Sequence, residues 1–166
     1  MYSTDTAAPD VHEEQHLFGE NELFQYEEAS TGQRFLNYLI DALLMQYGLA
    51  FITGFGVAAL WAAIDQESAY ELFSNTESGM FLLFSYGLAM LNHFLYYTFC
   101  EKVFKGYTLG KLITGTRAMR NDGTSLSLKD AALRSLSRLV PFEPFSAFGG
   151  NPWHDRWTNT IVVKTR

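Results

Sequence analysis

Two long apolar segments, 36–64 and 79–100, dominate the hydrophobic pattern of the chain. Asp41 is the only charged residue of the first segment, and the second segment contains no charge. A helix needs about 20 mostly apolar residues to cross a bilayer, so both segments are long enough. Core helices of a soluble protein rarely run so far without a charge, and this small chain has no amphipathic shell to cover two of them. The pattern therefore predicts a mainly α membrane protein with two transmembrane helices.

The charges outside these segments are distributed unevenly, within a total of 12 Lys and Arg and 18 Asp and Glu. Residues 1–33 hold eight acids and no base, which indicates an acidic, mobile tail. The connection 65–78 also lacks bases, whereas 101–166 holds eleven. Because Lys and Arg concentrate in the cytoplasmic flanks of transmembrane helices, we expect both termini in the cytoplasm and 65–78 as an outward loop. The expected location is a bacterial inner (plasma) membrane, with the lipid bilayer as partner and no nucleic acid.

The cytoplasmic region 101–166 carries signals for a small amount of β-structure. Asn121-Asp122-Gly123 is a strong turn signal, and it predicts a β-hairpin between 116–120 and 124–126. A further short strand is expected within 157–163. The fold class is therefore two transmembrane helices with a small cytoplasmic region that contains a β-hairpin and one helix.

That helix is predicted to follow Ser127, which is spaced from Asp130 as in a capping box. Its apolar face would contain Leu128, Ala132, Leu136 and Leu139, with the basic residues Lys129, Arg134 and Arg138 on other faces. A short basic amphipathic helix is typical of the interface plane of a membrane. Re-entry of 128–148 into the membrane stays open as the alternative.

Signals for enzymatic chemistry are weak. Gly106-Tyr-Thr-Leu-Gly-Lys111 resembles a phosphate-binding loop but has three residues between the glycines instead of four, and Leu112 replaces the Ser or Thr that would hold magnesium. Cys100 is the single cysteine, which excludes an internal disulfide or a multi-cysteine metal site. His154 and Asp155 are adjacent without a nucleophile, which favours a structural polar cluster. We expect no enzyme, no cofactor and no metal.

The apolar segments contain a few polar residues that demand partners. Arg34, Asn37 and Asp41 are spaced i, i+3, i+7 and share a helix face, with Asp41 roughly 10 Å along the axis from Arg34. An ionisable group inside a membrane costs at least ~2.5 kcal/mol, so Asp41 should have a partner. In antiparallel spans His93 lies at a similar depth, beside Asn92. Either a structural polar lock between helices or part of an ion or ligand pathway fits this arrangement.

The motifs are Arg34-Phe-Leu-Asn-Tyr-Leu-Ile-Asp41, Gly106-Tyr-Thr-Leu-Gly-Lys-Leu-Ile-Thr-Gly-Thr-Arg117, Leu133-Arg134-Ser-Leu-Ser-Arg138, His154-Asp155-Arg156 and Thr160-Ile-Val-Val163. Together they resemble the RDD family of small membrane proteins, named for one arginine and two aspartates. The resemblance implies that Arg34 and Asp41 are the family arginine and first aspartate, and that Asp155 is the second. It also implies an RDD-like membrane domain over 34–166.

The resemblance implies a topology more than an activity, because the function of the family is largely undefined. Transport of unidentified ligands has been suggested, and some members have been linked to sodium/proton exchange. Two spans cannot enclose a pathway, so transport would need a homo-oligomer or a larger membrane partner. The segments Gly54–Ala58 and Ala58–Ala62 offer small residues for close helix packing. The alternative is a non-catalytic membrane adaptor or assembly protein that binds a partner through its cytoplasmic region.

The candidate ligand or ion pathway residues are Arg34, Asp41, Asn92, His93 and Asp155. Two contacts follow from their positions. Arg34 at the start of the first span is expected to pair with Asp155, because Asp155 lies in a segment that folds back near the headgroups. Asp41 is expected to face the second span, within reach of His93 or Asn92, or to bridge to Arg34 along its own helix.

Overall fold

The computed structural model describes residues 26–150 and 152–165, apart from the side chain of Phe148. Most of the predicted acidic tail, residues 1–25, lies outside the described residues. The elements in chain order are α1 (Thr31–Leu43), a π-helical segment (Leu44–Leu49), α2 (Ala50–Ile64), α3 (Gln66–Ser74), α4 (Gly79–Val103), α5 (Leu109–Thr114), β1 (Thr116–Arg120), α6 (Leu128–Ser137), a 3-10 helix (Glu143–Gly149), α7 (Trp153–Thr158) and β2 (Thr160–Lys164).

Two helices are long and apolar enough to cross a membrane, as predicted. The first is continuous over Thr31–Ile64, through α1, the π-helical segment and α2, and the second is α4. No residue of the most apolar window of either helix is buried in the protomer, in contrast to the core helix of a soluble protein. Ser30 begins the first helix with a capping box to Gln33, and Ser78 caps the second.

The connection 65–78 is not a simple loop, because it contains the helix α3. The Asp65 side chain accepts from the backbone N–H of Ser68 at 3.2 Å and caps this helix. The side chain of Trp61 then meets Phe73 of α3 and Phe84 of α4 edge to face, with ring centroids 6.3 and 5.9 Å away. These rings, with Phe81, form an aromatic cluster that holds α2, α3 and α4 together at this end of the molecule.

β1 and β2 form a two-stranded antiparallel sheet in which Thr116 lies opposite Lys164 and Arg120 opposite Thr160. The predicted partner of β1 was wrong. The turn is present, since Gly123 donates to the Arg120 carbonyl at 2.9 Å, but 124–126 forms no strand. A local turn signal shows where the chain reverses and does not identify the segment that pairs with the strand.

The segment before α1 belongs to the fold. Glu28 forms a β-bridge with Val163, and Ala29 donates to the Val162 carbonyl at 2.9 Å. Ala29 is also buried, with Ala118, Leu126 and Val162, in a small apolar core beside the sheet. The last residues of the predicted tail thus contact β2 at Glu28 and Ala29 and enter the first helix at Thr31.

The predicted helix after Ser127 is present as α6, and its capping box with Asp130 is complete. Its orientation differs from the prediction, because Arg134 points inward and is fully buried. Ser135 faces α4 and its hydroxyl accepts from Thr98 at 3.0 Å. The leucines at 128, 133 and 136 are exposed instead. A helix with its polar face inward and its apolar face outward suits contact with lipid better than contact with water.

Candidate functional site

A buried ion network lies where α4 ends and meets the segments that follow it. Its centre is Glu101, which is fully buried in the last turn of α4. One carboxylate oxygen accepts from Lys111 Nζ at 2.5 Å and from Arg138 Nη2 at 2.8 Å, and the other accepts from Arg134 Nε at 2.9 Å. A buried charge is tolerated only when it is paired and hydrogen-bonded, and three cations meet that need here.

The second carboxylate of the network is Asp155 at the start of α7. It accepts from Arg34 Nη1 on one oxygen and from Arg134 Nη1, at 2.6 Å, on the other. Burial raises the pKa of Asp155, but the charges of Arg134 and Arg34 outweigh burial and hold this pKa well below its usual range. The predicted pair of Arg34 and Asp155 is thus confirmed, and Arg134 links it to Glu101.

Asp41 is 1% exposed and makes neutral contacts. Its carboxylate accepts from Tyr96 Oη at 2.8 Å, Thr108 Oγ1 at 2.7 Å and the Gly110 backbone N–H at 2.8 Å. Of the described residues, no Lys or Arg forms an ion pair with it. Asp41 therefore faces the second span, as predicted, but its partners differ from the predicted ones.

The other predicted partners of Asp41 lie elsewhere. Asn92 donates to Thr53 Oγ1 at 2.7 Å and joins α4 to α2. His93 contacts Tyr97 with the two rings tilted by 50° and their centroids 4.8 Å apart, and Arg34 pairs with Asp155. The prediction of Asp41 partners failed because it considered only the two spans, whereas α5 lies against the first span and supplies two donors.

Glycines allow α5 to approach α1 so closely. A Cβ on Gly110 would lie 2.3 Å from the Asn37 backbone oxygen, and one on Gly106 would lie 1.9 Å from the Ala118 oxygen. With its amide oriented to satisfy its neighbours, Asn37 donates to the Gly110 carbonyl at 3.1 Å. The segment Gly106–Lys111 therefore brings one backbone N–H and the Thr108 hydroxyl to Asp41, and its resemblance to a phosphate loop is superficial.

A third buried carboxylate, Glu143, lies at the start of the 3-10 helix and contacts His154 Nδ1 at 2.5 Å. Burial lowers the pKa of His154 to about 4, and the charge of Arg138 acts in the same direction. Burial raises the pKa of Glu143, but the hydrogen bond from His154 outweighs it and lowers the pKa. At neutral pH a neutral His154 thus donates to an ionised Glu143.

These groups surround a cavity of about 280 Å³. Its walls come from α1, α4, α5 and the segments from Arg138 to His154, with Val162 of β2. The polar and charged side chains at its surface include Arg34, Asn37, Asp41, His93, Lys111, Arg138, Glu143 and His154, and the apolar ones include Phe35, Pro144 and Ala147. Of the predicted site residues, Arg34, Asp41 and His93 line this cavity, whereas Asn92 and Asp155 do not.

The sequence interpretation missed Glu101, Lys111, Arg134, Arg138 and Glu143 as site residues. Two signals could have identified part of this set. Glu101 directly follows the uncharged segment 79–100, so it is held at the edge of a span. Arg134 and Arg138 are spaced i, i+4 and therefore share a helix face, which can meet one carboxylate.

The fold and the site define an integral membrane protein in which a buried ion network joins two membrane-spanning helices to a small α/β layer. Comparison with models of protein families matches the RDD family over residues 28–161. The chain therefore belongs to the RDD family. No curated protein and no solved structure matches the chain. The match covers all three residues, Arg34, Asp41 and Asp155, that the resemblance implied.

Proposed function

We propose that the protein takes part in the transport of an ion or small ligand across a bacterial inner membrane, and that the ligand binds in the cavity beside Asp41. The observation that carries the proposal is the placement of Arg34 and Asp41 in the wall of one cavity between the spans and α5. Ionisable residues in membrane helices are costly, and they commonly mark pathways for ions or substrates. A site for a small solute is usually a preformed cavity with a few converging polar groups.

Transport by two spans requires further helices, so the proposal includes a homo-oligomer or a larger membrane partner. Support comes from glycines on the outside of the helix pair. A Cβ added to Gly54 or Gly56 of α2, or to Gly87 of α4, would meet nothing within 4 Å in the protomer. Small residues let the backbones of neighbouring helices approach closely, and these positions are uncovered for such contact.

The direct test is flux of sodium and protons through proteoliposomes that contain the protein or Asp41→Asn. The variant keeps the shape of the side chain and accepts hydrogen bonds on one oxygen, so we expect normal assembly and loss of pH-dependent flux. Asp122→Asn, in an exposed turn, is the matched control and should retain flux. Full flux from a well-assembled Asp41→Asn variant would contradict the proposal and would leave Asp41 with only a structural role between the helices.

The proposed orientation places both termini in the cytoplasm and α3 outside. Its support is the distribution of Lys and Arg, which lie before the first span's apolar part or after the second span. A cysteine at Ser74 in a Cys100→Ser background should react with an impermeant thiol reagent in intact cells. A cysteine at Ser125 should react only after lysis, and the reverse pattern would invert the topology.

The alternative function is a membrane adaptor or assembly protein that binds a partner through the cytoplasmic region. It is favoured by large apolar side chains exposed in the segments after α6, since Phe142 is 75% and Trp157 56% exposed. Such side chains can contact a partner as well as lipid. A partner that co-purifies in fixed stoichiometry, together with absence of flux, would favour the adaptor over the transporter.

A further inference from the structure

Within the part of the chain that the structure describes, four cations and four carboxylates lie in or beside the cavity wall. The ion network holds all four cations, Arg34, Lys111, Arg134 and Arg138, but only two of the carboxylates, Glu101 and Asp155. The other two carboxylates, Asp41 and Glu143, line the cavity. Burial lowers the pKa of Lys111 to about 8 because it outweighs the attraction of Glu101, and the charges of Arg138 and Arg134 lower this pKa further. The positive charge is therefore confined to the ion network.

The acids in the cavity wall already have donors. Asp41 accepts hydrogen bonds from Tyr96, Thr108 and Gly110, and Glu143 accepts one from His154. The hydrogen-bonding needs of these two carboxylates are therefore met within the protein. Three cations, Arg34, Lys111 and Arg138, line the same space.

Two buried nitrogens in the cavity wall lack a hydrogen-bond partner among the described residues. They are Arg138 Nη1 and His93 Nε2, and both residues line the cavity. The Arg138 side chain is 8% exposed, and its guanidinium is fixed by Glu101 and by the Tyr97 ring, whose centroid lies 4.3 Å from Cζ. An unsatisfied buried donor is costly, and a charged donor more so. The position of the guanidinium is thus set by the fold, and its Nη1 has no acceptor among the described residues.

Two other buried nitrogens lack partners within the described part of the chain, namely Arg117 Nε and Arg134 Nη2. Neither Arg117 nor Arg134 lines the cavity. These two nitrogens lie away from the cavity, and Arg117 therefore provides a matched control for Arg138. The remaining walls include Phe35, Pro144 and Ala147, which suit an apolar body attached to a polar group.

We propose that the cavity binds a small organic anion, with its carboxylate or phosphate group on Arg138 Nη1 and His93 Nε2 and its apolar part against Phe35 and Pro144. This inference rests on the proposed function in one respect, since it names the class of ligand for the same cavity. Arginine is well suited to oxyanions because its planar guanidinium donates charge-assisted hydrogen bonds. His93 Nε2 donates in the tautomer that carries its proton there. The ligand accepts hydrogen bonds from both nitrogens and places its charge beside Arg138.

The test is equilibrium dialysis of radiolabelled benzoate against the full-length protein in phosphatidylcholine nanodiscs. Benzamide, which has nearly the same shape and no charge, is the control ligand. We expect saturable binding of benzoate at one site per protomer and at least about tenfold weaker binding of benzamide. Equal binding of the two ligands overturns the proposal. Absence of binding by benzoate, butyrate and inorganic phosphate alike also overturns it.

Variants locate the site. Arg138→Lys keeps a charge for Glu101 but removes the Nη1 donor, and His93→Phe keeps a ring against Tyr97 but removes Nε2. Each should weaken benzoate binding about tenfold, whereas Arg117→Gln should bind as the parent protein does. Should Arg138→Lys fail to fold, His93→Phe still decides, because His93 takes no part in the ion network. Unchanged affinity in folded His93→Phe overturns the proposed site.

Phosphatidylglycerol added to the nanodiscs separates two sources of the anion. Competition with benzoate identifies a lipid headgroup phosphate as the occupant, and absence of competition identifies a free solute; both results support an oxyanion site. The outcome is also separable from transport. Benzoate binding without flux of benzoate, sodium or protons retains the anion site and rejects transport, whereas sodium–proton flux without anion binding retains transport and rejects the anion site.

Discussion

At one end of the helix pair, Trp61, Phe73 and Phe84 meet edge to face with ring centroids 5.8 to 6.3 Å apart. At the other end, Glu101 collects Lys111, Arg134 and Arg138 within 2.5 to 2.9 Å. The aromatic cluster joins α2, α3 and α4, which are consecutive along the chain. The ion network instead joins residues that are up to 121 positions apart.

The two ends therefore have different tolerance to change. Edge-to-face rings contribute about 0.5–1.5 kcal/mol per pair beyond their buried area, and another apolar side chain can replace part of that. A buried ion network is less forgiving, since the loss of one partner leaves an uncompensated charge that costs about 3–5 kcal/mol. The charged end thus specifies one arrangement of distant segments, whereas the aromatic end mainly closes a local turn between helices.

Glu101→Gln should have the largest effect. The substitution keeps the size of the side chain but removes the charge that three buried cations share. We expect a loss of about 3–5 kcal/mol in the free energy of unfolding, measured by titration with sodium dodecyl sulfate in mixed micelles. Glu71→Gln, on the exposed side of α3, should change it by no more than about 0.5 kcal/mol. If both variants lost a similarly small amount of free energy of unfolding, the charged end would be no less tolerant of substitution than the aromatic end.

The pair of Arg34 and Asp155 should show strong coupling. Arg34→Gln and Asp155→Asn each break the pair and should each cost about 3 kcal/mol. The double variant should be no less stable than the less stable single variant, because the second substitution removes a group that has already lost this partner. A double-mutant cycle in the same micelles measures the coupling. Strictly additive losses would show that the two residues act independently.

Gly110→Ala tests the close approach of α5 to α1. The new methyl group would overlap the Asn37 backbone, so α5 must move away and Asp41 loses the Gly110 donor. We expect a loss of about 2 kcal/mol. Gly54→Ala adds the same methyl group where nothing lies within 4 Å, and it should leave the stability of the protomer within about 0.5 kcal/mol. Equal effects at both positions would contradict the contact.

Phe73→Leu should have the smallest effect, at the aromatic end. It removes edge-to-face contacts with Trp61 and Phe84 but keeps an apolar side chain, so we expect a loss of about 1 kcal/mol. Phe55→Leu is the control, because Phe55 is 70% exposed in the protomer. A loss at Phe73 as large as that at Glu101 would show that the aromatic cluster is as specific as the ion network.

How well each part of the structure could be predicted depends on whether its signal lies within one segment of the sequence or arises only when distant segments pack together. The spans could be predicted because an uncharged apolar segment as long as 79–100 is rare outside a membrane. The pair of Arg34 and Asp155 followed from the depth of each residue. The partners of Asp41 could not be predicted in this way, because Thr108 and Gly110 are uncharged and reach Asp41 only after α5 packs against the first span. The inward direction of Arg134 was missed because its carboxylate partners, Glu101 and Asp155, lie 33 and 21 residues away in the chain and meet it only in the fold.

The contact between Arg34 and Asp155 has a consequence for biosynthesis. Arg34 leaves the ribosome 121 residues before its carboxylate partner, and Ala29 precedes its own partner in β2 by a longer interval. At about 5–20 residues per second, the first spanning helix exists for roughly 6–25 s before Asp155 is made. During that time the arginine has water or lipid headgroups as its neighbours, whereas the aromatic cluster and the contacts of Asn92 with Thr53 and of Tyr96 with Asp41 can already form. The two helices therefore insert before the contact between Arg34 and Asp155 can form.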